Sequence, residues 1–293
     1  VILGPTASGK TSLAIELAKK HNGEVVSADS RQIYREMDIG TAKPTKKEIQ
    51  TIPHWMINIK NPNQQYAVAE YKEEAIKAIN KIIEKNKLPV LCGGTGLYIK
   101  SVVENLDIPK IEANIKLRNK TEKEIKEKGL DFVFKKLVKL DPEAAYIIDP
   151  KNPRRVIRAL EVTVLTKKPF SQQRKTGAPL FNVLEIGVSI PNEVLKQRIN
   201  QRVDQMIKDG LVKEVKYLFE KYGNQQALDA IGYREIIEYL NGKIGLEQAI
   251  KDIKTNTWHF AKRQITWFKR DKKIVWVKKY SQANKTVSNF IKN

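Results

Sequence analysis

Residues 4–11 read Gly-Pro-Thr-Ala-Ser-Gly-Lys-Thr, and this stretch decides the fold. It matches the pattern G-x-x-x-x-G-K-[ST], in which backbone N–H groups surround a chain of phosphates. An apolar strand end, residues 1–3, precedes the loop, and residues 11–20 have the pattern of an amphipathic helix. This order of strand, loop and helix is the context that the pattern requires. The sequence therefore predicts a site for two or more linked phosphates, without saying which group is transferred.

Short apolar runs rich in β-branched residues alternate with helical patterns along most of the chain. This alternation predicts an α/β fold of the P-loop NTPase type, a mostly parallel sheet with helices on both faces. The predicted strands are residues 1–3, 24–28, 54–59, 88–92, 183–190 and 274–278. The predicted helices of this part are residues 11–20, 67–85, 194–219 and 246–270. A strand normally has about five or six residues, so we expect the first one to start before Val1.

The stretch between the fourth and fifth predicted strands interrupts this rhythm. It contains three helical patterns, residues 112–128, 130–139 and 154–166, and no convincing strand. Asp-Pro pairs at 141–142 and 149–150 and an Asn-Pro pair at 152–153 come before the third pattern, as is typical of turns and helix starts. We therefore predict a helical insertion domain at 109–182 between two parts of the α/β core, 1–108 and 183–293.

Charge and cysteine content narrow the class of protein. The chain has 293 residues and a net charge of +21, with an excess of 4 basic residues in 1–105, 7 in 106–185 and 10 in 186–293. Such an excess favours a polyphosphate backbone as partner, although a lysine-rich proteome that solvates its helices would also produce it. The single cysteine excludes an internal disulfide. With no signal peptide or apolar run of membrane length, we expect a cytoplasmic protein, without membrane contact, that acts as a monomer.

Two further polar loops follow predicted strands, Ser-Ala-Asp-Ser at 27–30 and Gly-Gly-Thr-Gly at 93–96. Ligands of open α/β sheets bind beyond the carboxyl ends of the strands, so we expect these loops to meet the phosphate loop at one crevice. Asp29 either holds a metal ion, as in ordinary NTPases, or takes a proton from a nucleophile. The glycine-rich loop is either a tight turn or a close backbone approach with Thr95 at the mouth of the site.

Several basic residues are candidates for contacts with phosphates. In the phosphate loop, Lys10 is expected to reach the phosphates, and Thr11 is expected to offer its hydroxyl to Mg²⁺. Arg198 and Arg202 lie four residues apart on a predicted helix, so both project beside its apolar stripe, where they either neutralise a departing phosphate or form a solvated face. Residues 258–270 interleave aromatic and basic side chains, a pattern that fits a core helix as well as a base-stacking surface.

Seven blocks of sequence, in order, resemble the bacterial tRNA dimethylallyltransferases. The blocks are residues 4–11, 27–34, 37–44, 93–98, 158–162, 231–235 and 262–268. The resemblance runs over nearly the whole chain. It implies transfer of a dimethylallyl group from dimethylallyl diphosphate to N6 of the adenine just 3′ of the anticodon in certain tRNAs. The phosphate loop would then hold a leaving group.

The resemblance also implies roles for individual residues. Asp29 matches the proposed base, and Thr11, Thr95 and Arg202 match residues of the reaction channel. Together with the arginine pair, the diphosphate site would comprise Gly4, Pro5, Thr6, Ala7, Ser8, Gly9, Lys10, Thr11, Arg198 and Arg202. The residues expected to contact the tRNA anticodon stem-loop are Asp29, Ser30, Arg31, Gln32, Thr95, Arg154, Arg155, Arg158, Gly232, Tyr233, Arg234, Lys262, Arg263, Gln264 and Lys269.

Two other functions use some of the same features. A nucleotide- or metabolite-kinase-like phosphotransferase would share the loop, the Mg²⁺ site and the arginines. An RNA-binding module without activity would retain the loop and the positive charge. Transfer of an allyl group, transfer of a phosphoryl group and binding without turnover separate the three hypotheses.

Overall fold

A computed structural model describes residues 1–109, 111, 114–173 and 176–292 of the chain. The chain divides into two compact units, Val1–Val102 with Phe181–Asn293, and Val103–Leu180. The first unit contains the sheet, and the described residues of the second unit contain helices and no strand. For comparison, the insertion predicted from the sequence spans 109–182.

Six strands of the described chain form one sheet, and all of their pairings are parallel. The strands are β1 (Ile2–Leu3), β2 (Gly23–Ala28), β3 (His54–Trp55), β4 (Leu88–Gly93), β5 (Ile186–Val188) and β6 (Val275–Val277). Their order across the sheet is β3-β2-β4-β1-β5-β6. Each lies within or next to one of the apolar runs, and the predicted α/β fold with a parallel sheet is confirmed.

The helices connect and cover these strands. In chain order they are α1 (Lys10–Lys20), α2 (Lys46–Thr51), α3 (Val68–Glu84), α4 (Gly96–Val103), α5 (Ile115–Lys128), α6 (Leu130–Leu140), α7 (Ala144–Ile147), α8 (Pro153–Thr166), α9 (Asn192–Lys208), α10 (Leu211–Tyr222), α11 (Tyr233–Leu240), α12 (Leu246–Phe268) and α13 (Tyr280–Lys292). Helix α1 begins directly at the end of the phosphate loop, which is the connection that the loop pattern requires.

Both faces of the sheet are covered. All six residues of β2 are buried, as is typical of a central parallel strand. Val25 packs in one cluster with Leu17 of α1 and Val287 of α13. The next residue, Val26, points to the opposite face because side chains alternate along a strand, and it is fully buried as well. On the face of α3, the Tyr71 hydroxyl donates to the Ser27 carbonyl at 2.9 Å.

The helix predicted over 194–219 is wrong as a single element. The chain forms α9 and α10 there, separated by Gly210, whose φ of 102° is a left-handed conformation that ends a helix. The change of direction lets Val215 and Leu218 of α10 enter the cluster around Tyr233, while Leu195 and Ile199 of α9 pack elsewhere. A single glycine within a helical pattern does not show this break by itself.

The predicted strand at 54–59 is also too long. Pairing ends at Trp55, because Met56 and Asn58 take positive φ values of 64° and 57° and turn the chain away from β2. Helices α2, α4, α7, α11 and α13 form where the sequence predicted no helix.

The second unit has its own small core. Val133 and Leu137 of α6 pack against Val156 and Leu160 of α8, and all four side chains are buried. The predicted start of its first helix, Glu112, lies outside the described residues. Within the described part of the whole chain, no helix has both the length and the apolar character needed to cross a membrane.

Candidate active site

The phosphate loop joins β1 to α1 in a conformation suited to an anion. Ala7 and Gly9 have φ values of 62° and 90°, so successive N–H groups turn towards one side of the loop. No side chain caps the first turn of α1, which leaves its N–H groups for a ligand. The Ser8 Oγ is buried and has no hydrogen-bond partner among the described residues. An oxygen-rich ligand would satisfy it.

Three cationic side chains reach this loop. Arg202 Nη1 donates to Thr6 Oγ1 at 3.3 Å, Arg198 Nη1 to the Ser8 carbonyl at 3.5 Å, and Lys10 Nζ to the Pro5 carbonyl at 3.3 Å. None of the three forms an ion pair with a carboxylate in the part of the chain that the structure describes. Cations that no carboxylate neutralises are suited to a multiply charged anion.

Burial lowers the pKa values of two of these cations, Lys10 and Arg202. Desolvation lowers the pKa of the Lys10 ammonium, and the negative charge of Asp29 acts in the opposite direction. Desolvation also lowers the pKa of Arg202, although a guanidinium stays protonated at any physiological pH. Both side chains are half-buried, so their interaction with an anion is stronger than that of fully exposed charges.

Asp29 lies at the carboxyl end of β2, and its two carboxylate oxygens differ in their hydrogen bonds. Its Oδ1 accepts hydrogen bonds from the N–H groups of Arg31 at 2.8 Å and Gln32 at 3.4 Å, which fixes the side chain in a tight turn. Its Oδ2 has no hydrogen bond to any described residue. The carboxylate is therefore oriented by one oxygen while the other can accept a proton.

Thr95 is brought to Asp29 by the pairing of β2 with β4. Ala28 and Gly93 are partners in the parallel register, and a Cβ at Gly93 would collide with the Ala28 backbone. Glycine allows this close approach. The Thr95 N–H then donates to the Ala28 carbonyl at 3.1 Å, and its Oγ1 accepts from the Ser30 N–H at 3.0 Å. Because β1, which leads into the phosphate loop, also pairs with β4, the three loops that the sequence placed at strand ends lie at one edge of the sheet.

Two of the predicted RNA-contacting residues hold neighbouring loops. The Arg31 guanidinium donates to the carbonyls of residues 226, 227 and 229 at 3.1–3.4 Å. Gln32 Nε2 donates to the carbonyls of Thr41 and Ala42 at 3.4 and 3.2 Å. These bonds order the segment that follows Asp29.

The segment 232–234 begins α11 beside this loop. The Tyr233 side chain is fully buried, and its hydroxyl donates to Glu214 at 2.7 Å. Arg234 forms ion pairs with Glu235 at 2.9 Å and with Asp229 at 3.5 Å. Gly232 has a φ of 96° and precedes the helix. The predicted contacts of these residues with RNA stay predictions.

Helix α12 and Lys269, which directly follows it, contain both exposed and buried candidates for contacts with RNA. Lys262, Arg263 and Lys269 are exposed, as a contact with an RNA backbone requires. Gln264 is buried, and its side chain forms hydrogen bonds within the protein.

In the second unit, Arg154 and Arg155 are exposed at the start of α8. Arg158 pairs with the buried Glu161 at 2.7 Å, and Arg118 pairs with the same carboxylate at 2.9 Å. The sequence reading assigned no role to Glu161 or Arg118. Burial acts to raise the pKa of the Glu161 carboxyl, but the hydrogen bonds from Arg118 and Arg158 hold it below its ordinary value.

Comparison with known proteins identifies the family of the chain. A model of the family described as IPP transferase matches residues 32–271. The chain belongs to the IPP transferase family.

The relatives of this IPP transferase family member match 94–99% of the chain. It is 45% identical over 296 residues to a tRNA dimethylallyltransferase of Acetivibrio thermocellus, covering 99% of this chain and 95% of that protein. It is 48% identical over 285 residues to a protein of the same name from Caldanaerobacter subterraneus, covering 94% and 90%.

Solved structures agree in fold. The tRNA isopentenylpyrophosphate transferase of Bacillus halodurans is 41% identical, with a TM-score of 0.73 over 99% of this chain and 94% of that one. A eukaryotic dimethylallyltransferase, described as acting on tRNA, is 30% identical, with a TM-score of 0.79 over 99% and 76%. The resemblance found from the seven blocks is confirmed.

Proposed function

We propose that the protein transfers the dimethylallyl group of dimethylallyl diphosphate to N6 of the adenine 3′ of the anticodon in certain tRNAs, with release of diphosphate. Family membership and the names of the relatives support a transferase that prenylates tRNA. The observation that carries the proposal is an anion site of three cations beside a carboxylate with an unbonded oxygen. A diphosphate leaving group uses the first, and an amine nucleophile uses the second.

The phosphate loop and the three cations would hold the diphosphate of the donor. Its oxygens would accept from the N–H groups of the loop, from Lys10 and from the arginine pair, and would satisfy the buried Ser8 hydroxyl. As the bond from C1 of the allyl group to oxygen breaks, its electron pair moves to the diphosphate, and negative charge builds there. The fixed cations stabilise that charge in the transition state.

Asp29 would act on the acceptor. An adenine amine is a poor nucleophile because its lone pair is delocalised into the ring. The amine nitrogen forms the new bond to C1, and its proton passes to the free Oδ2 of Asp29. Removal of the proton as the bond forms favours the reaction. Thr95 and Ser30 are hydrogen-bonded beside this carboxylate and would line the path of the base.

A Mg²⁺ ion fits the site as a partner of the diphosphate. Thr11 lies in the first turn of α1 and would supply its hydroxyl. The described residues contain no group of three or more metal-binding side chains. The phosphate oxygens and water would therefore provide most ligands, which is usual for Mg²⁺, and the ion would supply further neutralisation of the leaving group.

The phosphate backbone of the RNA would bind to exposed basic side chains of the protein. The net charge of +21 and the exposed Lys262, Arg263 and Lys269 support this interaction, and Arg154 and Arg155 offer further positive charge. The target adenine must leave its stack to reach Asp29. We further propose that the enzyme acts in the cytoplasm. We also propose that it acts as a monomer, since one chain supplies all residues of the site described above.

The proposal is tested with labelled dimethylallyl diphosphate and an unmodified tRNA transcript. We expect labelled tRNA and one diphosphate released for each allyl group transferred. The variant Asp29→Asn keeps the Oδ1 acceptor and loses the base, so kcat should fall about 10²- to 10⁴-fold with donor affinity unchanged. Asp209→Asn, the same change at an exposed residue at the end of α9, is the matched control.

Two results would contradict the proposal. One is transfer of the γ-phosphate of ATP without any allyl transfer, which indicates a phosphotransferase. The other is salt-sensitive tRNA binding without turnover of either donor. Near wild-type kcat in Asp29→Asn would leave the overall function intact but exclude Asp29 as the base.

A further inference from the structure

One buried side chain connects the two loops that carry the proposed reaction. Gln264 of α12 is 6% exposed. Its Oε1 accepts from the Thr6 N–H of the phosphate loop at 2.8 Å, and its Nε2 donates to the Gly94 carbonyl at 2.8 Å. Both bonds are of good length, and they join segments that are far apart in the chain.

Each end of this bridge leads to a reacting group. The Thr6 hydroxyl also accepts a hydrogen bond from Arg202, so Thr6 links Gln264 to a cation of the leaving-group site. Gly94 precedes Thr95, whose hydroxyl accepts from the Ser30 N–H beside Asp29. The Gln264 side chain therefore relates the position of the diphosphate site to the position of the proposed base.

Packing keeps the bridge in place. A Cβ added to Gly94 would collide with the Gln264 amide nitrogen, and one added to Gly96 would collide with the indole nitrogen of Trp267. On the neighbouring face of α12, Ala261 packs in one cluster with Ala7 of the phosphate loop. The helix thus rests on both loops without spare room, and its glutamine amide has one arrangement that satisfies both partners.

We propose that Gln264 is a positioning residue that sets the distance between the leaving-group site and the Asp29–Thr95 side of the active site. This inference rests on the proposed function, since it concerns the same reaction. It differs from the RNA contact that the sequence resemblance implies for Gln264, because the side chain is buried and both of its polar atoms are bonded within the protein.

The test compares Gln264→Met and Gln264→Glu with Gln248→Met. Methionine removes both hydrogen bonds at similar volume. Glutamate keeps the acceptor for Thr6, and when ionised it cannot donate to Gly94. Gln248 lies exposed on the same helix and donates to Asp252, which makes it the matched control. The measurements are kcat, the KM for tRNA, the affinity for inorganic diphosphate by calorimetry, and Tm.

We expect Gln264→Met to lower kcat about 10- to 100-fold and to weaken diphosphate binding, because small displacements of reacting groups are costly. The KM for tRNA should stay within about twofold of the wild-type value, since the exposed basic side chains are unchanged. Protonated glutamate has the shape and the donor of glutamine. The kcat of Gln264→Glu relative to the wild type should therefore rise as the pH falls, while that of Gln264→Met should not.

Three results would overturn the inference. They are a lower Tm with unchanged kcat, a raised KM for tRNA with unchanged kcat, and equal behaviour of Gln264→Met and the control. If Gln264→Met fails to fold, the pH profile of Gln264→Glu decides. A wild-type protein that transfers no allyl group refutes the proposed function instead, and diphosphate affinity still tests whether Gln264 orders the phosphate loop.

Discussion

Glu214 of α10 anchors the loop that follows Asp29, and its removal should loosen that loop. Its carboxylate accepts from the N–H groups of Asp38 at 3.0 Å, Ile39 at 2.7 Å and Gly40 at 3.1 Å. It also accepts from the Tyr233 hydroxyl at 2.7 Å. The variant Glu214→Ala removes four hydrogen bonds at one position.

The magnitude follows from the exposure of the four donors. The Tyr233 side chain is fully buried, and a buried hydroxyl left without a partner costs about 1–3 kcal/mol. The three N–H groups lie at exposed or half-buried contacts, where water replaces most of the loss. We expect the free energy of unfolding to fall by about 2–4 kcal/mol in total. For a unit of this size, that lowers Tm by roughly 5–12 °C.

The assay is thermal and urea unfolding of the full chain, together with kcat for allyl transfer. Glu220→Ala is the control, since Glu220 lies exposed on the same helix and pairs only weakly, at 3.9 Å, with Lys216. The kcat of Glu214→Ala should also fall at temperatures well below Tm. The reason is that Gln32 binds the carbonyls of Thr41 and Ala42, directly after the anchored segment.

A double-mutant cycle with Tyr233→Phe makes the reasoning refutable. Phenylalanine removes the hydroxyl that Glu214→Ala leaves unpaired. The double variant should therefore be more stable than the sum of the two single effects by about 1 kcal/mol. Strict additivity would show that Glu214 does not hold the Tyr233 hydroxyl. A Glu214→Ala variant as stable as Glu220→Ala would show that the carboxylate does not anchor the loop.

Three further predictions concern two cations of the anion site and Gly96 at the start of α4. Burial lowers the pKa of Lys10, so its charge is present below that lowered pKa and is lost as the pH rises through it. Diphosphate affinity measured by calorimetry should then fall at a lower pH than for an ordinary lysine, and Lys10→Arg should abolish that fall. Arg202→Met should weaken diphosphate binding about 10- to 100-fold, and unchanged affinity would contradict its role. Gly96→Ala should destabilise the protein by about 1–3 kcal/mol in urea unfolding because its Cβ meets Trp267, whereas Gly245→Ala, with nothing within 4 Å, should not.

Local patterns predicted where each strand lies, but not the length of every strand or the bounds of every helix. Each apolar run contains or overlaps a strand, because a buried parallel strand needs a continuous apolar stretch. The break at Gly210 was missed, because one glycine is tolerated within a helix and only the burial of Val215 and Leu218 around Tyr233 favours the turn.

The residues of the candidate site divide in the same way. Lys10, Asp29 and Thr95 follow strands, so their meeting at one sheet edge was predictable from the parallel order. Arg198 and Arg202 were placed beside an apolar stripe by helical spacing, and they do reach the phosphate loop. Glu214 carried no signal, since a glutamate on an amphipathic helix is ordinarily a solvated residue.

The sequence by itself determined that a phosphate loop opens a parallel α/β sheet and that the chain resembles a family of tRNA-modifying transferases. Such features depend on residues close together in the chain, where spacing and periodicity carry the information. Only the tertiary structure decided that Gln264 joins the phosphate loop to Gly94 and that Glu214 binds the backbone of residues 38–40. Hydrogen bonds between distant segments depend on how helices pack, and no local pattern records which buried polar groups will meet.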